Sequence, residues 1–234
     1  GISEIDDSPK CEINDPSVLE DFRIRLNYNY RQSIGAFGIG SMSHKVSSEE
    51  MIFCSMSAVP ENFEFPLYRT TISFQEDDSL DLRLHKLIYQ NTHQNSCMIT
   101  SSPLATAEGM AILAEEYGME ILLDNGIKIP YLAEDHPVLK PIDGEAIYLN
   151  PRVGLVDIWQ LADMTPDNPI LNMLRWYKGC CIVAGYAVIS TGEATLEQAA
   201  HNAASAERIA KFRYEVFINK KLLNGPSVAE FEPK

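Results

Sequence analysis

Three hydroxyl side chains stand together where an apolar run meets a helix signal. The segment MITSSPLATAEG (98–109) places Thr100, Ser101 and Ser102 directly before Pro103. A serine followed by proline is typical of a helix start, with the serine as N-cap. Because a helix N-terminus is partly positive, Ser101 and Ser102 could hold an anion there. The pattern favours the simpler alternative, that Ser102 only caps the helix, and no G-x-S-x-G elbow indicates a hydrolase.

Glycines and histidines are the next candidates for chemistry. Gly35, Gly38 and Gly40 come after a predicted helix and before a predicted strand, the reverse of the order in a dinucleotide-binding loop. They are interpreted as a helix end and a tight turn. The five histidines have no H-x-H or H-E-x-x-H spacing, and no C-x-x-C occurs. Asp81 and His85, four residues apart on one helix face, could still contribute to an unfamiliar metal site together with His93.

The elements that must position these residues alternate along the chain. The spacing predicts helices over 15–33, over 79–92, from Pro103 to about Tyr117, from Pro169 to Gly179, and from Thr195 to about residue 220. Strands are predicted at 51–55, 96–100, 119–123 and 180–190, and at EAIYL (145–149) within an otherwise irregular segment, 130–166. This alternation predicts an α/β class with helices covering a central sheet. Residues 1–14 are predicted to be a flexible N-terminal tail, and residues 15–234 a single domain.

Composition narrows the classes of partner. The 234 residues carry a formal net charge of -14 and are 45% hydrophobic. Such an acidic protein lacks the cationic surface that nucleic acid or an anionic membrane would require, and no apolar run is long enough to span a membrane. Five cysteines in no disulfide pattern favour a reducing compartment, so a cytoplasmic location is expected.

Four segments, in chain order, resemble the class II aldolase/adducin family. GIGSMSHKV (38–46) resembles its Gly-Asn-x-Ser turn and strand, and SMSAVP (55–60) resembles its Thr-Pro-Ser/Thr-Gly turn. DSLDLRLHKLIYQNTHQNSCMITSSPLATA (78–107) resembles the Ser-Ser-Glu helix and the His-x-His-Pro strand end. GYAVISTGEATLEQAAHNAASAERIAKF (185–212) resembles the C-terminal signature, a His-Gly strand followed by a long helix. The resemblance extends roughly from residue 16 to residue 221.

The resemblance implies a three-layer α/β/α sandwich with a central, largely antiparallel sheet. It also implies a homotetramer with its sites between subunits. Members of the family cleave or epimerise sugar phosphates, dehydrate a thioribulose phosphate or decarboxylate, and most use a zinc-like ion to stabilise an enediolate. Adducin keeps the fold as a cytoskeletal module.

The positions that correspond to the family's metal ligands carry no imidazole here. The two strand-end histidines fall on Thr100 and Ser102, and the histidine of the His-Gly pair falls on Tyr186. The acid/base glutamate falls on Asp81, and the phosphate-contacting turn keeps a serine, Ser57. Since hydroxyls are poor zinc ligands beside imidazole and carboxylate, the sequence predicts neither a metal nor another cofactor.

Two hypotheses follow for the site. In the first, the chain is a non-catalytic pseudoenzyme that binds a small molecule between subunits or acts as a scaffold; the predicted lining combines Asp81 and Tyr186 with Ser41, Ser57, Ser79, Thr100 and Ser102. In the second, the chain is a metal-independent, lyase-like enzyme for a small oxo compound, in which Asp81 is the base and Tyr186 the acid or oxyanion donor. An active Asp81 requires a tyrosine within reach, whereas a structural Asp81 would be exposed or paired with an arginine such as Arg83 or Arg31.

Overall fold

A computed structural model of the chain describes residues 40–55, 67–118, 129, 131, 136–177 and 179–223. These ranges contain eight strands: β1 (Gly40–Lys45), β2 (Glu50–Ser55), β3 (Leu67–Thr71), β4 (Ser96–Thr100), β5 (Val138–Leu139), β6 (Val153–Val156), β7 (Cys180–Val183) and β8 (Ala187–Gly192). The same ranges contain five α-helices: α1 (Leu80–Asn91), α2 (Pro103–Tyr117), α3 (Gly144–Leu149), α4 (Pro169–Trp176) and α5 (Leu196–Leu223). A 3-10 helix covers Ile158–Ala162.

The strands form one mixed sheet in the order β3-β2-β1-β4-β8-β7-β6-β5. β6 and β7 run parallel, and the other adjacent pairs are antiparallel. The expected α/β class with a central sheet is confirmed, and the parallel pair makes that sheet a mixed one. In the described part of the chain, no helix is long and apolar enough to cross a membrane.

Helices cover both faces of the sheet because successive strand residues point to opposite sides. In β4, Cys97 and Ile99 pack in the cluster that contains the buried side chains of α1 and α4. Met98, between them, packs with Leu196 and Ala199 of α5. We call the side covered by α1 and α4 the α1 face, and the side covered by α2 and α5 the α5 face. Each fully buried aliphatic side chain in these clusters contributes about 1.5–3 kcal/mol through removal from water.

Most predicted elements within the described ranges are confirmed. β4 has the predicted bounds, and α1, α2 and α5 lie within a few residues of theirs. Two of the predicted helix starts have the expected hydrogen bonds: Asn168 accepts one from the N–H of Ile170 at 2.8 Å, and Thr195 accepts one from the N–H of Gln198 at 3.3 Å. The tail 1–14, the helix 15–33 and the strand 119–123 lie outside the described residues.

The strand predicted at EAIYL is wrong, because these residues lie in helix α3. The N–H of Ile147 donates to the carbonyl of Asp143 at 3.0 Å, which is a helical i to i−4 bond. Glu, Ala and Leu are strong helix formers, and the run does not alternate strictly between apolar and polar residues. The nearby strand β6, with the fully buried sequence VGLV, was missed inside the segment interpreted as irregular.

The predicted long strand at 180–190 is two strands joined by a tight turn. The N–H of Tyr186 donates to the carbonyl of Val183 at 3.0 Å, which closes the turn between β7 and β8. Gly185 has φ +71°, a left-handed conformation that a residue without Cβ adopts at low cost. A continuous apolar run hid this hairpin, because the one glycine was its only turn signal. The consequence for the site is that Tyr186 stands in a turn rather than within a strand.

Candidate functional site

Several candidate residues lie at one end of the neighbouring inner strands β1, β4 and β8, and we call this boundary of the sheet the edge. Gly40, the first residue of β1, pairs with Thr100, the last residue of β4, and Thr100 also pairs with β8 near its start. A Cβ on Gly40 would lie 1.7 Å from the carbonyl oxygen of Ile99, so this close approach of two strands requires glycine. Packing therefore accounts for Gly40 without a nucleotide. Ser102 follows β4 and Tyr186 precedes β8, which places both beside this edge.

Asp81 and Tyr186, the two residues predicted to carry any chemistry, are in direct contact. Asp81 lies half-buried in the first turn of α1, and the phenol of Tyr186 donates a hydrogen bond to its Oδ1 at 3.0 Å. Burial, the charge of Asp81 and this hydrogen bond raise the pKa of Tyr186 to about 12, because all three favour the neutral phenol. Tyr186 therefore keeps its hydrogen at neutral pH and acts as a donor. Oδ2 of Asp81 accepts no hydrogen bond from the residues that the structure describes.

If Asp81 had only a structural role, its side chain would be expected to be exposed or paired with an arginine. Arg83, one of the two candidates, is exposed, and its guanidinium carbon lies 6.0 Å from the ring centroid of Phe74. Arg31, the other candidate, lies outside the described residues. Within the described ranges, the partner of Asp81 is thus the phenol that the metal-free hypothesis requires.

Ser41 lies on the α1 face, inside a buried chain of polar side chains between β1 and α1. Its Oγ is 3.0 Å from Nε2 of His85, and Nδ1 of the same ring is 2.6 Å from Oγ of Ser43. Ser43 in turn lies 2.7 Å from the hydroxyl of Tyr89. Burial lowers the pKa of His85 to about 3, so the ring is neutral. Because both ring nitrogens are occupied by serines, His85 is not available as a metal ligand beside Asp81.

Thr100 and Ser102 form a separate pair. Their hydroxyl oxygens are 2.7 Å apart, and both side chains are fully buried. Thr100 pairs directly with Val188, a core residue of the α5 face, so the pair belongs to the opposite side of the sheet from Asp81. The prediction that Ser102 caps α2 through its side chain is wrong, because that hydroxyl bonds to Thr100. Ser102 also has φ +29°, a strained value for a residue with a side chain.

Glu207 of α5 occupies the helix N-terminus that the sequence offered as a candidate anion site. Its Oε1 accepts from the N–H of Leu104 at 3.1 Å, and its Oε2 accepts from the N–H of Ala105 at 2.8 Å. Desolvation raises the pKa of this carboxyl group despite the two backbone donors, which act in the opposite direction. An internal carboxylate therefore takes the position of an external anion, and Ser101 and Ser102 are not needed to hold one.

The two remaining predicted residues differ in what can be said of them. Ser79 is the N-cap of α1, and its Oγ accepts from the N–H of Leu82 at 3.3 Å. That bond fixes the helix turn carrying Asp81, which is a structural contribution. Ser57 lies outside the described residues. The structure thus brings Asp81 and Tyr186 together, pairs Thr100 with Ser102, and engages Ser41 with His85.

The zinc site that the family resemblance implies does not fit these side chains. Thr100 and Ser102 satisfy each other, Tyr186 donates to Asp81, and the two pairs lie on different faces of the sheet. Neutral hydroxyls are also weaker zinc ligands than imidazole, thiolate or carboxylate. In the described ranges, no three His, Cys, Asp or Glu side chains lie together as a metal site would require. The set with Asp81, His85 and His93 is likewise not assembled there.

Sequence reasoning missed the hydrogen-bonding roles of His85, Ser43, Tyr89 and Glu207 in this region. A signal for the first three was present in β1, where the small polar residues Ser41 and Ser43 alternate with the core residue Met42. Such a strand needs polar partners on its buried face. For Glu207, the signal was a charged residue beside the buried alanines of α5. A buried charge in an apolar stripe requires donors, and α2 supplies them.

The fold is that of the class II aldolase-like architecture. No protein-family model matches the sequence, and no curated protein sequence matches it. Solved structures do: L-fuculose-1-phosphate aldolase from Thermus thermophilus is similar with TM-score 0.61 and 14% identity, over 89% of this chain and 97% of that one. YgbL from Escherichia coli, described as a candidate aldolase/epimerase/decarboxylase, is similar with TM-score 0.57 and 13% identity, over 85% and 91%. A further L-fuculose 1-phosphate aldolase has TM-score 0.57 and 13% identity, over 89% of each chain.

These similarities extend over nearly the whole of each chain, so the shared fold is not limited to one motif. The class II aldolase-like fold is therefore shown in its coarser form, an α/β fold with a mixed central sheet. At identities of 13–14% the likeness concerns the fold alone. Function has to be argued from the side chains at the site.

Proposed function

We propose that this chain is a zinc-independent protein of the class II aldolase-like fold that binds a small molecule without converting it. One observation carries the proposal: hydroxyls stand at all three positions expected to bind zinc, and their hydrogen bonds are made within the protein. Without a cation, an enediolate would lose its main electrostatic stabiliser. The three-layer, largely antiparallel sandwich, the homotetramer with its ligand between subunits and the cytoplasmic location belong to the same proposal.

The ligand of this proposal binds on the α1 face, at the edge where Asp81 and Tyr186 meet. Asp81 retains one carboxylate oxygen to which no described residue donates, and this oxygen can accept a hydrogen bond from a ligand hydroxyl. The half-buried position of both residues leaves them within reach of solvent. A small polyol or oxo compound satisfies this arrangement, since it supplies hydroxyl donors to Asp81 and oxygen acceptors to neighbouring donors.

Zinc content tests the first half of the proposal. Wild type and Asp81→Ala are incubated with zinc sulfate, dialysed, and analysed by elemental mass spectrometry together with their melting temperatures in the presence and absence of EDTA. We expect no stoichiometric zinc in either protein and no effect of EDTA. Stoichiometric zinc in wild type that disappears in Asp81→Ala would overturn the zinc-independent assignment.

Ligand binding tests the second half. Melting temperatures are measured with L-fuculose 1-phosphate and with pyruvate as probes, for wild type, Asp81→Asn and Glu76→Gln. Glu76 is an exposed acid shortly before α1 that is not among the proposed site residues, so Glu76→Gln removes the same charge as Asp81→Asn. Stabilisation of wild type and Glu76→Gln, but not of Asp81→Asn, is the expected pattern. Equal stabilisation of all three proteins would place the probe elsewhere.

A second candidate, a metal-independent enzyme, is favoured by the bond between Tyr186 and Asp81. In such an enzyme Asp81 accepts a proton from the carbon next to a carbonyl, and the C–H electron pair forms the double bond of an enol. Tyr186, protonated at neutral pH, donates its hydrogen to the carbonyl oxygen. The atoms balance without a metal or an oxidant.

Hydrogen exchange into pyruvate separates the two candidates. Loss of the methyl proton signal in deuterium oxide is followed by NMR for wild type, Asp81→Asn and Tyr186→Phe, with Glu76→Gln as control. A binding protein gives no exchange above the buffer rate. Exchange in wild type and Glu76→Gln that is lost in both site variants would replace the first candidate by the second.

A further inference from the structure

A buried ion pair at the start of α1 takes no direct part in the contact between Asp81 and Tyr186, yet it lies in the segment that carries Asp81. Nζ of Lys86 lies 2.7 Å from each carboxylate oxygen of Asp78. The side chain of Lys86 is fully buried, and that of Asp78 is 5% exposed. Asp78 directly precedes Ser79, the N-cap of α1, and Asp81 follows in the first turn. The pair therefore ties the entry of α1 to the body of the same helix.

Within the described residues, the first turn of α1 has few other attachments to the protein. Ser79, Leu80 and Arg83 are exposed, Leu82 packs only partly against the core, and the run of buried residues begins at Leu84. The N–H of Leu82 donates to Oγ of Ser79 at 3.3 Å, which is a long hydrogen bond. The N–H of Arg83 donates to the carbonyl of Ser79 at 2.9 Å. Helix ends with so little burial fray unless a further contact holds them.

Asp78 also organises the loop that leads into α1. Its Oδ2 accepts a hydrogen bond from the N–H of Gln75 at 2.7 Å, and its own N–H donates to the carbonyl of Gln75 at 3.4 Å. Near the other end of the loop, the carbonyl of Ile72 accepts from Nε2 of Gln90, a residue of α1, at 2.8 Å. The loop is thus held on α1 at both ends, and Asp78 supplies the attachment nearer the N-cap.

The charges of the pair suit the places where they stand. Helical side chains lean towards the helix N-terminus, and the ammonium group of Lys86 extends in that direction to reach Asp78. A helix N-terminus is partly positive, so it favours a carboxylate and disfavours an unaccompanied cation. A buried ammonium group that loses its carboxylate is strongly destabilised. The position of Asp78 is therefore set by the buried lysine, although most of the loop around it is exposed.

We infer that Lys86 is a positioning residue, which acts through Asp78 on the first turn of α1 and so fixes the carboxylate of Asp81. The fixed carboxylate is the one that accepts the hydrogen bond of the Tyr186 phenol. This inference rests on the proposed ligand site and adds the contact that pre-organises it. A carboxylate already held in place offers its second oxygen to a ligand at a smaller loss of conformational freedom. Lys86 itself is buried and does not contact the ligand.

The pKa of Tyr186 reports the position of Asp81 without any ligand. Burial, the charge of Asp81 and its hydrogen bond raise this pKa to about 12. The double variant Asp78→Asn/Lys86→Met replaces the ion pair by neutral side chains of similar size and leaves the net charge unchanged. We expect the pKa to fall part of the way towards 10, measured as the difference in tyrosinate absorbance between each protein and its Tyr186→Phe counterpart. An unchanged pKa in the folded double variant would overturn the inference.

A cycle with Asp81→Asn tests whether Lys86 acts through Asp81. In the Asp81→Asn background, replacement of the ion pair should leave the pKa of Tyr186 nearly unchanged, because the carboxylate is already absent. An equal fall in both backgrounds would overturn the assigned route. The control Glu108→Gln/Arg213→Met removes a different ion pair, whose Nε and Oε1 lie 2.6 Å apart, and should leave the pKa at about 12. A comparable fall in this control would count against a specific role of Lys86.

Wild type alone gives a second test, which does not depend on the folding of any variant. Hydrogen exchange of the full-length protein is followed by NMR at the N–H of Arg83, which closes the first turn of α1 onto Ser79. We expect exchange at least about tenfold slower than in an unstructured peptide, since a frayed turn shows almost no protection. Exchange at the unprotected rate would overturn the inference, because the ion pair would then not hold the turn.

These measurements need no ligand, so they fail or succeed separately from the proposed function. A lowered pKa of Tyr186 in the double variant of a protein that binds neither L-fuculose 1-phosphate nor pyruvate would retain the role of Lys86 and count against those two ligands. An unchanged pKa, in a protein that binds either probe through Asp81 equally well with and without the ion pair, would retain the ligand site and remove the role of Lys86.

Discussion

Two carboxylates lie near the same edge of the sheet, on opposite faces, and the protein holds them in different ways. Glu207, on the α5 face, has both oxygens bonded to backbone N–H groups of α2. Asp81, on the α1 face, has one oxygen bonded to the side chain of Tyr186, and no described residue donates to the other. Glu207 is 7% exposed, whereas Asp81 is half-buried.

The difference indicates which of the two acids serves the fold and which is available to a ligand. A backbone N–H cannot rotate away, so Glu207 is fixed, and its removal leaves one buried and one partly buried donor unpaired. A phenol on a turn residue can change partner, because Tyr186 belongs to the short connection between β7 and β8. The same end of the sheet thus carries a structural carboxylate on one face and a candidate functional one on the other.

The largest expected effect is on stability. Glu207→Ala should lower the free energy of unfolding by about 2–4 kcal/mol, since a buried N–H left unpaired costs about 1–3 kcal/mol and the partly buried N–H of Leu104 costs less than that of Ala105. Asp81→Ala should cost less than about 1 kcal/mol, because only one hydrogen bond to a half-buried carboxylate is lost. Urea denaturation monitored by circular dichroism measures both values, and the m-value reports whether the unfolding transition is unchanged. Equal losses in the two variants would remove the distinction between the carboxylates.

A smaller effect, which depends on pH, is expected at Glu207. Desolvation raises its pKa above the ordinary 4.5, so its protonated form is favoured in the folded state. The stability that protonation contributes is present below about pH 4.5 and is lost as the pH rises through the folded-state pKa. Glu207→Gln keeps an acceptor for one backbone N–H and cannot ionise. Wild type should therefore gain stability relative to Glu207→Gln when the pH falls from 7 to 4, as measured by urea denaturation at both values. A gain by the variant on acidification would contradict the assigned shift.

The strands and helices of the fold were predictable where local sequence signals, such as apolar runs and helix caps, coincide with the element bounds in the structure. The run SCMIT has the bounds of β4, and the Asn168-Pro169 pair marks the start of α4, because apolar runs and caps are local features. The hairpin at Gly185 and the helix α3 were not predictable in this way. In the first case tertiary pairing divides one apolar run, and in the second helix propensity outweighs a weak strand pattern.

The contacts of the candidate site were predictable to the extent that the contacting residues lie on recognisable elements. Asp81 and Tyr186, 105 residues apart, were proposed together from the family resemblance, and the structure places them in contact. The role of Glu207 could not be read from the sequence, because it depends on how α5 crosses the start of α2. The pairing of Thr100 with Ser102 was likewise hidden, since serine before proline has the same sequence signature whether its hydroxyl caps the helix or not.

The smallest expected effect concerns the ionisation of Tyr186 and leaves stability at neutral pH nearly unchanged. Its raised pKa, about 12, means that the folded protein resists phenol ionisation, so the stability that the neutral phenol contributes is present below pH 10 and is lost as the pH rises towards 12. Asp81→Asn removes the carboxylate charge and its hydrogen bond but not the burial, which is the largest cause of the shift. The pKa should therefore fall only part of the way towards 10. The difference in tyrosinate absorbance between each protein and its Tyr186→Phe counterpart isolates this residue from the other tyrosines. An unchanged pKa in Asp81→Asn would show that the two side chains are not coupled, and Asp81 would then be held no more specifically than any acid in the first turn of a helix.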